Sequence, residues 1–526
     1  MRSAFLAVLT TSALCAQGVW ERRADYPISA TEVSAAAIGD RIYAVCGLTA
    51  TGSTSDLFIY NPALDQWTRG APAPIAGGAD HCNVAAANGR LYLAGAIRIG
   101  GSFVDGNTYE YNPSTDQWTT VGRMTIPRGA SGIASDGRRI YVAGGLAPNA
   151  SVPSFEVFDT QTRQWSVLPS MPTPRDHLTA QFVNGRFYAI AGRNSADLAL
   201  VEEFDPASAS WRTRASAPTA RGGLASAAVN GKIYVMGGEG NSGTPEATFR
   251  QNEEYDPAAD RWRALPNMPT PRHGLYGASI GTVIYTPSGG PIAGANYSNR
   301  TEAFILPPAE PPALNGPPLN AASYENEAAE GMLMIVFGRN LAPGAQASKP
   351  SAQMLGVRAT LSGTPLQLLY VFPSQVAFRI PTGAASGDFR IHHAGVESAA
   401  VPIRIAGPAR PGIFSLSMDG KGEGAILAGG VLARAVRRGT VVEIYCTGLG
   451  ATLAPAEGLE RTQLNPQAEI GGRDAEVLYS GLAPGLFGVY QVNARVPLDS
   501  PAGTAVEVRI RAGGALSNTV TIGVTE

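Results

Sequence analysis

A chain of 526 residues with a net charge of −2 is too long for one ordinary domain, so two to four folding units are expected. Apolar residues make up 44% and charged residues 16%, which allows packed cores and excludes a disordered chain. A nucleic-acid groove needs a positive stripe that displaces counterions, and no sustained run of Lys or Arg is present, so nucleic acid is not an expected partner.

The first 17 residues have the layout of a secretory signal peptide. Arg2 precedes an apolar stretch, and small residues follow near Ala13 to Ala16. We therefore expect a secreted protein, extracellular or periplasmic; a buried first helix is the alternative. Cys15 is not expected to carry a lipid, because Leu14 stands where a lipobox needs a small residue. No later stretch reaches about 18 consecutive apolar residues, so no transmembrane segment is predicted, and association with the cell surface stays open.

Residues 18–306 repeat an aromatic residue, a turn and a tryptophan, as in "YEYNPSTDQW" and "EEYDPAADRW". The units close every 46–51 residues, at Trp67, Trp118, Trp165, Trp211 and Trp262. Between them recur a small-residue strand, a turn pair and an aromatic-bearing strand that ends near two glycines. The turn pairs supply the positive φ angles of a two-residue hairpin: Asn88-Gly89, Asp136-Gly137, Asn184-Gly185 and Asn230-Gly231. Each unit therefore predicts four antiparallel strands, which make one blade of a β-propeller.

This pattern resembles the kelch repeats of β-propellers, whose period is roughly 50 residues. It departs from the usual glycine pair at "YAVCG", "YLAGA" and "YAIAG". Five complete units and a sixth without a closing tryptophan predict six blades. Trp20 has no preceding strands of its own, so we expect its strand to lie beside Phe304 and close the ring, because an open ring leaves bare strand edges. All six tryptophans are predicted to be structural packing residues.

One face of the predicted ring carries the variable loops, and we call it the loop face. The loops after the glycine pairs open there, together with the crossovers between blades. Variable loops on a rigid scaffold commonly bind ligands, so this face is the predicted binding surface. Its variable stretches are residues 48–56, 97–107, 146–153, 239–249 and 291–298.

The crossovers offer candidate ligand-binding residues: Arg128, Arg175, Arg221, Arg272, His81 and His177. Around the mouth of the ring they would hold an anionic sugar or a carboxylate through bidentate bonds. Alternatively, the arginines tie neighbouring blades together, and their repetition in four blades favours this second interpretation. Glutamates also recur at one blade position, which favours a blade-edge role over acid catalysis: Glu156, Glu202, Glu253 and Glu302. His273 is one residue out of register with the other histidines, so neither a metal site nor a cofactor is expected.

Two cysteines are predicted to lie near the loop face. Cys46 ends a strand of the first blade, and Cys82 begins a strand of the second. In an oxidising compartment a disulfide between them is geometrically feasible, and two free buried thiols are the alternative. Cys446 has no partner in either case.

The proline-rich residues 307–318 are predicted to be a semi-extended linker. Beyond them, residues 334–342 resemble residues 442–450, and Gln375 and Gln491 each lie six residues before a proline. Alternating strands around a glycine turn follow in both copies. We therefore predict two tandem immunoglobulin-like β-sandwiches, residues 319–407 and 408–526.

The C-terminal half also resembles a module attached to many large secreted proteins of soil bacteria. The resemblance covers roughly residues 315–526 and depends on "PGIF", "YCTGLG", "YSGLAPGLFGVYQVNARVP" and "SNTVTI". It implies export and an accessory role. The glycine-rich residues 420–430 lack the Lys-Ser/Thr pair of a phosphate-binding loop, and a flexible loop is predicted there.

The predicted all-β architecture, a six-bladed kelch propeller followed by two sandwiches, favours a non-enzymatic binding protein whose loop face takes a glycan or protein. No catalytic constellation is evident. The alternative is a sugar-active enzyme. The layout is similar to the copper-radical sugar oxidases, but His392 and His393 are adjacent on a strand and face opposite sides. A likeness to six-bladed sialic-acid mutarotases needs only Arg and acid/base groups near the mouth, and is an argument from fold alone.

Overall fold

The computed structural model describes residues 17–98, 104–148, 150–453 and 459–526. Nearly all of the predicted signal peptide, including Cys15, lies outside the described residues. Within these ranges all regular structure is β-strand. The described residues therefore include no helix with the length and apolar character needed to cross a membrane.

Six sheets of four antiparallel strands occupy the chain up to residue 305, and in each the strand order follows the sequence, except that the outermost strand of sheet 6 is the N-terminal one. Sheets 1 and 2 contain Ser34–Ile38, Arg41–Thr49, Gly52–Asn61 and Gln66–Gly70, then Val84–Ala87, Arg90–Ile97, Val104–Asn112 and Gln117–Arg123. Sheets 3 and 4 contain Gly132–Ser135, Arg139–Ala143, Phe155–Asp159 and Gln164–Leu168, then Thr179–Val183, Arg186–Ile190, Val201–Asp205 and Ser210–Arg214. Sheets 5 and 6 contain Ala225–Val229, Lys232–Met236, Asn252–Asp256 and Arg261–Leu265, then Ala278–Ile280, Val283–Pro287, Thr301–Ile305 and Val19–Arg22. Two short hairpins extend the loops of sheets 3 and 4: Leu146–Ala147 with Ala150–Ser151, and Arg193–Asn194 with Ala196–Asp197.

The six sheets form a closed ring. The first strand of each sheet contacts the first strand of the next, and Ala278–Ile280 of sheet 6 contacts Ser34–Ile38 of sheet 1. Val19–Arg22 pairs antiparallel with Thr301–Ile305, and Trp20 lies opposite Phe304. The predicted closing strand is therefore confirmed, and it covers the edge that Thr301–Ile305 would otherwise expose at the seam.

The hairpin turns follow the prediction in three of four cases. Asn88, Asn184 and Asn230 have φ angles of 48°, 50° and 51°, and a glycine with positive φ follows each. Asp136 differs, because its φ is not positive and only Gly137 takes that conformation. The Asp136 carboxylate instead accepts hydrogen bonds from the backbone amides of the two arginines that follow it. The turn is therefore organised by a side chain, which an aspartate does readily.

Every tryptophan of the repeat is half-buried and joins two neighbouring sheets. Trp262 packs on Tyr255, with ring centroids 4.9 Å apart. Its indole nitrogen donates a hydrogen bond to the Ala215 carbonyl, 2.9 Å away, beyond the last strand of sheet 4. Equivalent indole bonds leave Trp20, Trp67, Trp118, Trp165 and Trp211. The packing role is confirmed, and each tryptophan also supplies a directional bond between sheets.

The first C-terminal unit is a sandwich of two sheets. One sheet contains Ala313–Leu314, Leu319–Asn320, Leu333–Arg339, Gln367–Phe372 and Gln375–Arg379. The other contains Val357–Leu361, Thr364–Pro365, Gly387–His393, Val396–Glu397 and Val401–Ile403. Phe378 and Phe389 stack between them, with centroids 4.7 Å apart. Because Ala313–Leu314 already pairs with this unit, the linker is shorter than predicted.

The second C-terminal unit differs from the predicted pair of sheets. Its eleven described strands form one continuous sheet that surrounds a single core: Gly412–Ile413, Ile426–Ala428, Val431–Leu432, Val436–Arg437, Val441–Thr447, Gln467–Ile470, Arg473–Leu482, Tyr490–Arg495, Gly503–Ala512, Ala515–Leu516 and Val520–Thr525. Arg473–Leu482 pairs with Gln467–Ile470 over its first residues and with Tyr490–Arg495 over the remainder. This long strand carries the sheet from one layer to the other. The glycine-rich residues 420–430 contain one of these strands and are only partly a loop.

The internal similarity of the two units extends to strand register. Phe337 pairs with Gln375 in the first unit, and Tyr445 pairs with Gln491 in the second. The two glutamines predicted to be equivalent therefore occupy the same place on equivalent strand pairs.

The first sandwich packs directly against the propeller. Buried residues of both parts, among them Ile305 and Leu355, belong to one hydrophobic cluster. The Glu21 carboxylate accepts hydrogen bonds from the backbone amides of Leu355 and Gly356, at 3.1 and 2.6 Å, and from Arg23 at 2.8 Å. The proline-rich segment therefore joins two bodies that share a core, and it does not act as a free spacer.

Replacing Glu21 with alanine should weaken this junction. The amides of Leu355 and Gly356 would lose their acceptor, and the buried Arg23 would lose one of its acceptors. We therefore expect the free energy of unfolding to fall by about 2 kcal/mol. Hydrogen–deuterium exchange at Leu355 and Gly356 should accelerate. The exposed Glu325 provides a control, and its alanine variant should leave both quantities unchanged. Unaltered exchange in Glu21→Ala would contradict the assigned contacts.

Candidate functional site

A ring of six equivalent residues surrounds the axis at the loop-face end, one before the inner strand of each sheet, and we call it the mouth ring. All six adopt left-handed backbone conformations, with φ between 49° and 59°: Glu32, His81, Ala130, His177, Gly223 and Gly274. From Ala130 to Gly274, each backbone amide donates a hydrogen bond to the carbonyl of the preceding member. Glycine takes this conformation readily, whereas other residues do so at a cost of about 1–2 kcal/mol.

Three side chains of the mouth ring converge near the axis. Glu32 Oε2 lies 3.4 Å from His81 Nε2, and the rings of His81 and His177 meet edge to face, with centroids 4.9 Å apart. One donor atom from each of the three side chains lies within 4.8 Å of the others. Burial alone lowers the pKa of His81, but the carboxylates of Glu32 and Asp80 outweigh it and raise the pKa above its usual value.

Two aspartates form hydrogen bonds to the ring nitrogens Nδ1 of these histidines. Nδ1 of His81 bonds the Asp80 carboxylate, and Nδ1 of His177 bonds the Asp176 carboxylate. Burial opposes ionisation of Asp176, but its bond to His177 keeps the pKa of this carboxyl below the usual value. Burial lowers the pKa of His177 in spite of the same bond. Each bond fixes the ring orientation so that Nε2 points to the axis.

Arg193, Glu239 and His273 add further polar and charged groups around the mouth. Arg193 donates to Glu239 Oε1 at 2.7 Å and to His177 Nε2 at 2.9 Å. Burial opposes ionisation of Glu239, but His273, the amide of Gly294 and Arg193 hold the pKa of the carboxyl below its usual value. Nδ1 of His273 is buried, lies 3.3 Å from Glu239 Oε2 and makes no hydrogen bond within the described residues.

The open space at this mouth is small. A cavity of about 20 Å³ lies among Glu32, His81, His177 and Tyr276. Such a volume accommodates one water-sized occupant. The channel mouth on the opposite face encloses about 250 Å³ and is lined chiefly by alanine, serine and threonine of the inner strands. A sugar therefore does not fit inside the loop-face mouth, and a larger ligand would lie over it.

The predicted arginine ring does not line the mouth. Arg128, Arg175, Arg221 and Arg272 all have a relative exposure of 0%. Each forms an ion pair with a recurring glutamate, at 2.5, 2.5, 2.9 and 3.0 Å: Glu156, Glu202, Glu253 and Glu302. The interpretation as ligand-contacting groups is corrected accordingly, since none of these four guanidinium groups reaches solvent. The arginines are therefore structural, but their side chains join each crossover to strands of its own sheet and do not tie neighbouring blades together as predicted. The glutamates are their partners.

The predicted histidines His81 and His177 reach the mouth, and His273 lies one residue out of register with them. Gly274, and not His273, occupies the mouth-ring position of sheet 6. His273 nevertheless approaches the same cluster through Glu239. Sequence reasoning missed five residues of the site, namely Glu32, Asp80, Asp176, Arg193 and Glu239. An alignment of the six crossovers would have placed Glu32 beside His81 and His177, and would have shown an aspartate before each histidine.

Comparison with known protein families agrees with this architecture. Residues 81–290 match the family model described as KLHDC2/KLHL20/DRC7 Kelch-repeats domain, and residues 30–74 match the Kelch motif. The ring is a kelch-repeat propeller.

Several curated proteins are similar to this propeller. Kelch-like protein terF of Aspergillus terreus is 30% identical over 301 residues, which is 52% of this chain and 64% of that protein. N-acetylneuraminate epimerase of Pasteurella multocida is 32% identical over 152 residues, 28% of this chain and 38% of the enzyme. A solved structure described as "Structure of YjhT" aligns with 53% of this chain and 95% of its own, at 17% identity and a TM-score of 0.46. The chain thus spans less than two thirds of the length of these curated relatives.

The two cysteines of the kelch propeller are free thiols in this structure. Cys46 and Cys82 are both buried in the hydrophobic cluster shared by sheets 1 and 2. Burial, with a hydrogen bond to Cys46, raises the pKa of the Cys82 thiol well above its usual value. Of the two alternatives open from the sequence, the structure therefore has free thiols.

We expect neither thiol to react with iodoacetamide until the chain unfolds, because the thiolate is the reactive form and both groups are buried. Peptide mapping by mass spectrometry should find Cys46, Cys82 and the buried Cys446 unmodified in native protein, and all three alkylated in denaturant. If Cys46 and Cys82 stay unmodified in denaturant until a reductant is added, a disulfide joins them.

Proposed function

We propose that this chain is an exported, non-enzymatic binding protein, in which a six-bladed kelch propeller takes a protein or glycan on its loop face. The two C-terminal units, proposed to be immunoglobulin-like, present the propeller or dock it to a surface. The observation that carries the proposal is the difference between the two faces. The loops, the hairpins that extend them and the polar mouth lie at one end, whereas short turns lie at the other.

Charge at the mouth favours a ligand that donates hydrogen bonds. Carboxylates of Glu32, Asp80, Asp176 and Glu239 surround the axis, and Arg193 is the cation among them with a substantially exposed side chain, 39%. The buried arginines supply nothing to an anionic ligand. Amino or hydroxyl groups, from a basic protein segment or a neutral glycan, fit this surface better than the anionic sugar expected from the sequence.

The loops are tied to the mouth, which supports one continuous binding surface. Ser53, in the stretch 48–56, donates to Asp80 Oδ2 at 2.5 Å, and Ser151, in the stretch 146–153, bonds Asp176. The amide of Gly294, in the stretch 291–298, donates to Glu239 Oε2 at 2.9 Å. A ligand that contacts the loops therefore also meets groups connected to the central cluster.

The test is a screen of the purified chain on glycan and protein arrays, followed by charge reversal at one exposed acid of each face. Glu246 lies on the loop face, and Asp40 lies in a turn on the opposite face. Glu246→Lys should weaken binding of any recovered ligand by about tenfold or more, whereas Asp40→Lys should leave it unchanged. Equal effects of the two substitutions would count against the loop face. An export assay with residues 1–17 deleted tests the secreted location.

A sugar-active enzyme remains the second candidate, favoured by the similarity to N-acetylneuraminate epimerase and by the imidazole–carboxylate pairs at the mouth. The small mouth cavity opposes it. Anomer exchange of sialic acid followed by NMR distinguishes the two candidates. We expect no acceleration by this chain. Acceleration that disappears in Glu239→Gln would replace the binding proposal with the enzyme.

A further inference from the structure

The mouth ring places two imidazole nitrogens and a carboxylate around a space of one atom's size. One ring nitrogen each of His81 and His177 and a carboxylate oxygen of Glu32 lie within 4.8 Å of one another. The adjoining cavity of about 20 Å³ is too small for a sugar and large enough for a water-sized occupant. Two histidines and one glutamate are a common ligand set for zinc that keeps an open position.

The partners of the two imidazoles suit metal binding. In metal sites a histidine usually donates from its second nitrogen to a carboxylate, which fixes the tautomer and makes the ligating nitrogen more basic. Asp80 and Asp176 hold Nδ1 of His81 and His177 in this manner. Arg193 Nη2 lies 2.9 Å from His177 Nε2, and a guanidinium only donates, so this Nε2 carries a lone pair.

The architecture of the ring does not require these side chains. Sheets 5 and 6 use glycine at the same position, with φ of 59°, and sheet 3 uses alanine. Glu32, His81 and His177 are thus placed in a left-handed conformation that glycine would adopt without strain. Backbone strain held at one site is a feature of functional positions.

His273 places a further polar atom beside this cluster. Its Nε2 lies 2.9 Å from the Ile292 carbonyl and donates to it. In the part of the chain that the structure describes, Nδ1 is buried without a hydrogen bond, and it lies 3.3 Å from Glu239 Oε2 and 3.8 Å from Glu32 Oε1. Buried polar atoms without a partner are rare and frequently mark an ion or water site.

We propose that Glu32, His81 and His177 bind a divalent transition-metal cation of the zinc class at the mouth of the propeller. Asp80 and Asp176 act as positioning residues for the two imidazoles. Arg193 competes for the lone pair of His177 and moves toward solvent when the cation binds. Bound there, the cation compensates the surrounding carboxylates and presents an open coordination position to the loop face. This site goes beyond the proposed binding role and does not depend on which ligand covers the loops.

The test is titration of the chelator-treated full chain with Zn²⁺ by calorimetry, and with Co²⁺ by visible absorption, which reports nitrogen and oxygen ligands. We expect one cation per chain. His81→Gly and His177→Gly remove the ligands at positions where glycine fits the backbone, so both variants should fold, with a measurable loss of thermal stability because Asp80 or Asp176 loses its imidazole partner. Their affinity for Zn²⁺ should fall by about 100-fold or more, because a lost ligand costs more than a lost supporting residue.

Three further variants separate the site from adventitious binding. His392→Ala removes a histidine of the first sandwich and should bind Zn²⁺ as the unaltered chain does. Asp80→Asn should weaken binding by about 10–100-fold. Arg193→Ala should strengthen it, since a competing cation is removed. Absence of saturable binding, binding that both glycine variants retain, or an Arg193→Ala chain with weakened binding would overturn the proposal.

Discussion

Replacing Arg175 with alanine is expected to lower the free energy of unfolding by about 3–5 kcal/mol, because it leaves the buried Glu202 carboxylate without a counter-charge. Arg175 pairs with Glu202 at 2.5 Å and donates to the carbonyls of Ala191 and Ala189 at 2.9 and 3.1 Å. The guanidinium therefore joins a crossover to two strands of its own sheet. Denaturant unfolding monitored by tryptophan fluorescence measures the loss.

Two comparisons test the physical reason. Arg138 has an exposed side chain and pairs with Asp159 on the surface, so Arg138→Ala should cost less than about 1 kcal/mol. Replacing Arg175 and Glu202 together by leucine removes both charges, and this double variant should be more stable than Arg175→Ala. A loss below about 1 kcal/mol in Arg175→Ala would contradict the role of the ion pair.

The sequence contained the information for these ion pairs, but the recurrence of the arginines alone did not reveal it. Arginine and glutamate occur together in four units and are both missing from the first two, where Ala30 and Ala79 stand in place of the arginine. Arginines that bind a ligand would not require a glutamate about 30 residues later in the same unit. A buried guanidinium, by contrast, requires a counter-charge in contact with it. The joint occurrence of arginine and glutamate in the same units therefore predicts a structural role for the arginines more strongly than the recurrence of arginine alone does.

The mouth cluster was harder to predict because its members come from separate units. The propeller itself follows from local signals, since each unit repeats its turns and its tryptophan. Glu32, by contrast, lies in a unit without the arginine that marks other crossovers, and it meets His81 and His177 only after the ring closes. Arg193 follows Ala191-Gly192 in sheet 4, and Glu239 follows the glycine pair of sheet 5. Their contacts depend on ring geometry, which no local pattern contains.

The continuous sheet of the second C-terminal unit could not be predicted from the alternation of apolar and polar residues. Arg473–Leu482 alternates without a turn signal through the point where its partner strand changes. A bulge between Val477 and Tyr479 bends it there. Bulges add twist without demanding glycine or proline. No residue of this strand therefore signals that it passes from one layer of the unit to the other.

Replacing Trp20 with alanine is expected to lower the free energy of unfolding by about 2–4 kcal/mol and to open the ring at its seam. Truncating a large aromatic residue in a full core costs about 3–5 kcal/mol, and Trp20 is half-buried. Its ring centroid lies 5.1 Å from that of Phe304, and its indole donates to the Pro266 carbonyl at 2.8 Å. Hydrogen–deuterium exchange in Thr301–Ile305 should accelerate strongly, because this strand would lose its outer neighbour.

Trp118→Ala is the matched control, since Trp118 packs on Tyr111 at 5.1 Å and donates to the Ala71 carbonyl at 2.8 Å. It removes equivalent contacts from a strand that a short turn still tethers to its neighbour. The closing strand has no such tether, because the chain between it and Thr301–Ile305 runs around the whole ring, and ordering so long a loop costs entropy. Similar losses of stability with selective exchange in Trp20→Ala would show that the seam opens first. Equal exchange patterns in the two variants would mean that closure is no weaker than the covalent hairpins, and that the ring unfolds as one unit.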